Sequence, residues 1–231
     1  MCFNDSISVN RTLTRYKHWF QWHNFSAYPH DTLVLAQFRN PYDWLKAMQT
    51  IPHHASVHIK LKWEEFIQKP WTMPRFGLDL LNDTETTECQ EFFAYNQIVS
   101  CNFEPLPVSH YEKIRFSENQ PFYELRQDGS GKPFKNIMEM RAAKIRNFLE
   151  VADYPGIADL WLLQYEYLLQ EGTDHLLRRI EEWTGMARQC EAYPPQERRV
   201  RNISRTFVRA INEHLDWSAE ALIGYTQREV P

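Results

Sequence analysis

The 231 residues carry a net charge of −4, with 24% charged and 43% hydrophobic residues. Such a chain can build one large α/β domain or two small ones around a sizeable core, and it lacks the basic balance of a general nucleic-acid binder. No stretch approaches about 18 consecutive apolar residues, so no transmembrane segment is expected, and the opening MCFNDSISVNRTLTRYK lacks the apolar centre of a signal peptide.

The first candidate element is a short aromatic strand at 16–20, YKHWF. An unbroken apolar run, Leu33 to Ala36, marks a buried parallel strand over 31–38. A helix follows at once. Asn40 suits the N-cap, Pro41 the first helical position and Asp43 the first turn, with Pro41, Trp44, Leu45 and Met48 on one face. Residues 50–135 read as an irregular insertion, with a short helix near 62–69, a further helix over 84–100, and a proline- and glycine-rich loop over 103–135. Residues 136–149 return to helical spacing through Met138, Ala142, Ile145 and Leu149. A second apolar run, Leu160 to Leu163, marks a strand over 159–166. Thr173 then caps a helix whose apolar face is Leu176, Leu177, Ile180 and Trp183, and Gly185 stops it. A basic stretch over 194–209 leads to a helix at 204–214 and the closing DWSAEALIGY.

Strands alternating with helices imply an α/β fold: a parallel sheet flanked by helices, in a single domain spanning 1–231. Ligands in such sheets bind beyond the carboxyl ends of the strands. Arg39 stands there, where a guanidinium beside a helix N-terminus suits a phosphate or sulfate. A sheet-edge ion pair is the plainer use of the same residue. Lys17 and His18, the latter 21 residues before Arg39, offer a cation and a base for group transfer, or a surface pair beside aromatic packing. His53, His54 and His58 lack a well-placed third ligand type, so no metal site is expected. DGSGK at 128–132 has the wrong spacing for a phosphate loop and reads as a turn.

The four cysteines form no C-x-x-C pair. Cys89 and Cys101 are expected to pair if the chain matures in an oxidising compartment, provided the helix between them ends or bends. Five Asn-x-Ser/Thr sequons, at Asn4, Asn10, Asn24, Asn82 and Asn202, exceed the roughly one or two that composition predicts. They hint at a glycoprotein of the secretory route.

VLAQFRNPYDWLKAM (34–48) resembles the segment of sulfotransferases that binds the 3′-phosphate of 3′-phosphoadenosine 5′-phosphosulfate. KHW (17–19) occupies the place of the family's Lys-Thr-His strand in its cytosolic branch. LWLLQYEYLL (160–169) resembles its late strand and Tyr-Glu-x-Leu turn, and IGY (223–225) the ending of several membrane-bound members. The likeness runs along most of the chain, thinly between 50 and 135. It implies a P-loop, three-layer fold and sulfuryl transfer to a hydroxyl or amine of a small-molecule or carbohydrate acceptor. By analogy His18 takes the acceptor proton, Lys17 stabilises the leaving oxygen, and Arg39 holds the 3′-phosphate. Arg198, Arg199 and Arg201 would close over the same phosphate, or form a solvated basic loop.

Two departures stand out. The family's serine eight residues after the arginine is Ala47 here. The phosphate loop should precede the Lys-His strand, yet the first glycine is Gly77. The fold is therefore expected to lack its first strand and loop, leaving apolar side chains of the 31–38 strand in view. A Golgi or secretory-lumen location is expected of a full-length protein, and a cytoplasmic one if the chain starts at Met1. A non-catalytic descendant of the fold, acting as a binding or scaffold protein, is the competing expectation. A kinase-like nucleotide binder would need a Walker-type loop.

Overall fold

The structure, a computed structural model, describes residues 2–3, 20–21, 31–52, 55, 58, 60–71, 126, 128, 133–197 and 203–230. It is a mixed α/β chain with a small parallel sheet of two strands among the described residues. The elements are β1 (Thr32–Phe38), α1 (Pro41–Thr50), α2 (Trp63–Phe66), α3 (Ile137–Glu150), β2 (Ile157–Gln164), α4 (Tyr165–Glu171), α5 (Asp174–Thr184), α6 (Arg205–His214) and α7 (Trp217–Leu222). Two compact units result, each built from separated segments.

The first unit comprises residues 1–41, 147–202 and 222–225. Each of its strands is entered through a left-handed residue, Asp31 at φ 62° and Gly156 at φ 87°. β1 and β2 pair in parallel from Leu33 opposite Asp159 to Phe38 opposite Gln164. Alternation puts Trp161 and Phe38 on opposite faces. Trp161 lies under the Arg179 guanidinium, 3.8 Å from the ring centroid, and edge-on to Trp183, both from α5. Phe38 meets Phe148 of α3 at 6.2 Å. Helices thus flank the sheet, as strand–helix alternation implied.

The apolar strands are less covered than buried parallel strands usually are. Leu35 of β1 is 41% exposed and Leu162 of β2 is 40% exposed. Within β1 the other apolar side chains are more covered: Leu33, Val34 and Ala36 are half-buried and Phe38 is buried.

β2 starts at Ile157 and ends at Gln164, two residues short of the strand read from the sequence, because Tyr165 and Glu166 already belong to α4. Gly172 separates α4 from α5 at φ 76°, where a Cβ would meet the Tyr193 carbonyl at 2.7 Å. Thr173 holds the N-cap position of α5 without capping it; its hydroxyl accepts from the Tyr193 N–H instead, at 2.8 Å. Gly185 ends α5 in the left-handed region, as expected. A disulfide joins Cys2 to Cys190 across 188 positions. Sequence reasoning did not anticipate that pair; Cys89 and Cys101 lie outside the described residues.

The second unit comprises residues 42–146, 203–221 and 226–231. Its core is aromatic, with Tyr42, Phe66, Trp71 and Phe134 almost wholly buried. Trp71 and Phe134 form an antiparallel bridge. Asn136 caps α3 by accepting from the N–H groups of Met138 and Glu139, both at 3.0 Å. Met138, Ala142 and Ile145 face inward as the spacing predicted. In α1 Pro41 and Leu45 are buried as expected, Tyr42 and Asp43 are buried as well, and Trp44 and Met48 are half-buried. Tyr42 can be buried because its hydroxyl donates to Asn212 and accepts from the Arg228 N–H. Burial raises the pKa of that phenol, which keeps it a donor. Ser204 caps α6 by accepting from the Phe207 N–H at 3.2 Å. Among the described residues the most buried ion pair joins Arg141 to Glu220, with Nε to Oε1 at 2.5 Å and Nη2 to Oε2 at 2.9 Å.

Candidate functional site

The carboxyl ends of both strands carry polar side chains on consecutive residues. β1 ends at Phe38 and hands over to Arg39 and Asn40; β2 ends at Gln164 and hands over to Tyr165 and Glu166. The parallel register sets Phe38 opposite Gln164, so the two turns leave the sheet side by side. Arg39 places its guanidinium 5.2 Å from the centre of the Tyr165 ring. That stacking helps to orient the guanidinium.

Glu166 ties the two turns together. Its Oε1 accepts from the Asn40 backbone N–H at 3.0 Å. Its Oε2 accepts from the Tyr225 hydroxyl at 2.6 Å. The same hydroxyl lies 3.1 Å from the Phe38 carbonyl oxygen. A phenol has one proton, and the shorter, charge-assisted contact to the carboxylate is the stronger of the two. Tyr225 is brought here by the closing segment, whose Ile223 and Gly224 carbonyls accept from the Gln164 side-chain amide at 3.1 and 3.0 Å. Gly224 permits that approach: its φ is 80°, and a Cβ would stand 2.7 Å from Gln164 Nε2.

Of the residues expected at the site, Arg39 is where the sequence put it, at the end of β1 and two residues before the start of α1. Lys17, His18, Arg198, Arg199 and Arg201 lie outside the described residues. The structure therefore brings together Arg39, Asn40, Tyr165, Glu166 and Tyr225. Glu166 and Tyr225 were not singled out as site residues. The rule that picked out Arg39, a polar residue just past the carboxyl end of a parallel strand, applies equally to Glu166. Tyr225 had no such signal, because its partner lies 59 positions away. His58 proves to be a core residue, fully buried between Phe66 and Trp71; His53 and His54 lie outside the described residues. No group of three or more metal-ligating side chains occurs among the described residues. No helix among them is long and apolar enough to cross a membrane.

Comparison of the chain with family models, with curated proteins and with solved structures finds no match.

Proposed function

We propose that the chain is sulfotransferase-like and moves a sulfuryl group from 3′-phosphoadenosine 5′-phosphosulfate to a hydroxyl or amine acceptor. The observation that carries this reading is Arg39, a stacked guanidinium at the carboxyl end of a parallel strand, directly before a helix that opens with proline. It combines with the order of sequence segments that resemble the family.

The fit to a donor phosphate is uneven. Arg39 supplies a cation suited to bidentate contact. The Asn40 N–H is already committed to Glu166. Ala47 offers no hydroxyl where the family has one. In this reading Arg39 holds the 3′-phosphate, with Arg198, Arg199 and Arg201 as further phosphate contacts. His18 takes the acceptor proton and Lys17 stabilises the oxygen that leaves sulfur. The acceptor oxygen or nitrogen forms a bond to sulfur as the bond to the 5′-phosphate oxygen breaks, with no covalent enzyme intermediate. Positioning and charge stabilisation then supply the rate. The Cys2–Cys190 disulfide, with the five sequons, supports maturation in an oxidising compartment such as the Golgi lumen.

A second reading, a non-catalytic binding or scaffold descendant of the same fold, is favoured by Ala47 and by the carboxylate that occupies the Asn40 amide. Sulfate transfer and binding of adenosine 3′,5′-bisphosphate by the full-length protein separate the two. Arg39→Ala should weaken that binding by about 2–3 kcal/mol, the usual effect of removing a charge-assisted hydrogen bond. Unchanged affinity by calorimetry in a folded variant removes Arg39 from the site. Nucleotide binding without transfer to any hydroxyl or amine acceptor selects the second reading.

A further inference from the structure

The turn that carries Arg39 lies between β1, which ends at Phe38, and α1, which begins at Pro41. Two backbone groups at this turn have partners in the segments around it. The Phe38 carbonyl meets the Tyr225 hydroxyl, and the Asn40 N–H meets Glu166. Both contacts converge on one carboxylate, through its two oxygens.

We propose that Glu166 is a positioning residue: its carboxylate fixes the turn that presents Arg39, and the closing segment Ile223-Gly224-Tyr225 fixes the carboxylate. The residues just after β2 thereby set the geometry of the Arg39–Asn40 turn just after β1. Any ligand effect of Glu166 rests on the proposed role of Arg39; its effect on the turn does not.

The chemistry of the two donors selects the test. Glu166→Ala takes away the carboxylate that both the Asn40 N–H and the Tyr225 hydroxyl donate to. Glu166→Gln keeps an oxygen for the Asn40 N–H. Its amide can donate to the Tyr225 oxygen while the phenol proton turns to the Phe38 carbonyl, so these groups stay satisfied. Tyr225→Phe removes one of the two ties and keeps the ring.

The experiment follows the Asn40 amide by hydrogen exchange in the full-length protein, with the Ile180 amide of α5 as the internal control, and measures binding of adenosine 3′,5′-bisphosphate in parallel. In Glu166→Ala the Asn40 amide should exchange at least about tenfold faster while Ile180 is unchanged, the size expected when a hydrogen bond to a charged group is removed. Glu166→Gln should restore protection, and Tyr225→Phe should give an intermediate rate. Nucleotide affinity should follow the same order. Unchanged Asn40 exchange in Glu166→Ala, or an equal rise at Ile180, overturns the proposal. If Glu166→Ala does not fold, an Asn40 rate in Tyr225→Phe equal to wild type overturns it. If wild type shows no saturable nucleotide binding while Asn40 responds as expected, the positioning role stands and the sulfotransferase reading fails.

Discussion

Two carboxylates, one in each unit, are held in different company: Glu220 is buried and Glu166 is half-buried. Glu220 of the second unit is 1% exposed and meets the Arg141 guanidinium through both oxygens, while Arg141 also lies 4.7 Å from the centre of the Trp44 ring. Glu166 of the first unit meets a backbone N–H and a phenol. The first arrangement matches one buried charge to another and holds two helices together. The second holds a chain turn in place while the nearby Arg39 stacks on an aromatic face. The same contrast runs through the units. The second is organised around a buried aromatic core, whereas the first has a sheet with Leu35 and Leu162 in view and is tied by polar contacts and a disulfide.

If that contrast is right, the largest stability effect belongs to the second unit. Glu220→Ala should cost about 3–5 kcal/mol by leaving Arg141 buried without this carboxylate. Replacing both partners with apolar residues of similar volume should recover most of it. A cost below about 1 kcal/mol for Glu220→Ala in denaturant unfolding would mean that the pair is as weak as a surface one, and the contrast would fail.

The next effect is a pH dependence centred on His58. Both of its ring nitrogens are buried and make no well-formed hydrogen bond among the described residues. Burial, with the nearby Lys69 charge, pulls its pKa from 6.5 to about 4; the Lys69 and Pro70 backbone groups oppose this and are outweighed. The unfolded chain therefore binds a proton that the fold refuses, and stability falls as pH drops from about 6.5 to about 4, by roughly 3 kcal/mol in all. His58→Phe should flatten that limb of an acid titration followed by denaturant unfolding. An unchanged limb assigns the acid sensitivity elsewhere.

The smallest effect sharpens the first unit. Gly224→Ala puts a Cβ 2.7 Å from Gln164 Nε2 at a backbone φ of 80°. It should cost about 1–2 kcal/mol, the penalty of a left-handed non-glycine residue, because the flexible Gln164 side chain can yield. A cost beyond about 4 kcal/mol would show that the closing segment anchors the whole unit rather than one turn.

Local information settled much of this molecule. The runs Leu33–Ala36 and Leu160–Leu163 identified both strands because four adjacent apolar residues suit a strand flanked on two sides. Pro41 and Gly185 marked helix ends because the chemistry of a helix terminus acts within one turn. Arg39 was legible by its place after a strand. Tyr165–Glu171 was misread as strand and link, since seven residues with scattered apolar positions show neither period clearly. Partnership was another matter. Glu166 meets Asn40 across 126 positions, Arg141 meets Glu220 across 79, and Cys2 meets Cys190 across 188. Side-chain type declares what each of these groups needs, an acceptor, a counter-charge or a second thiol. Only the tertiary fold decides which distant group supplies it, because a hydrogen bond or a disulfide forms within a few ångströms of space, whatever the distance along the chain.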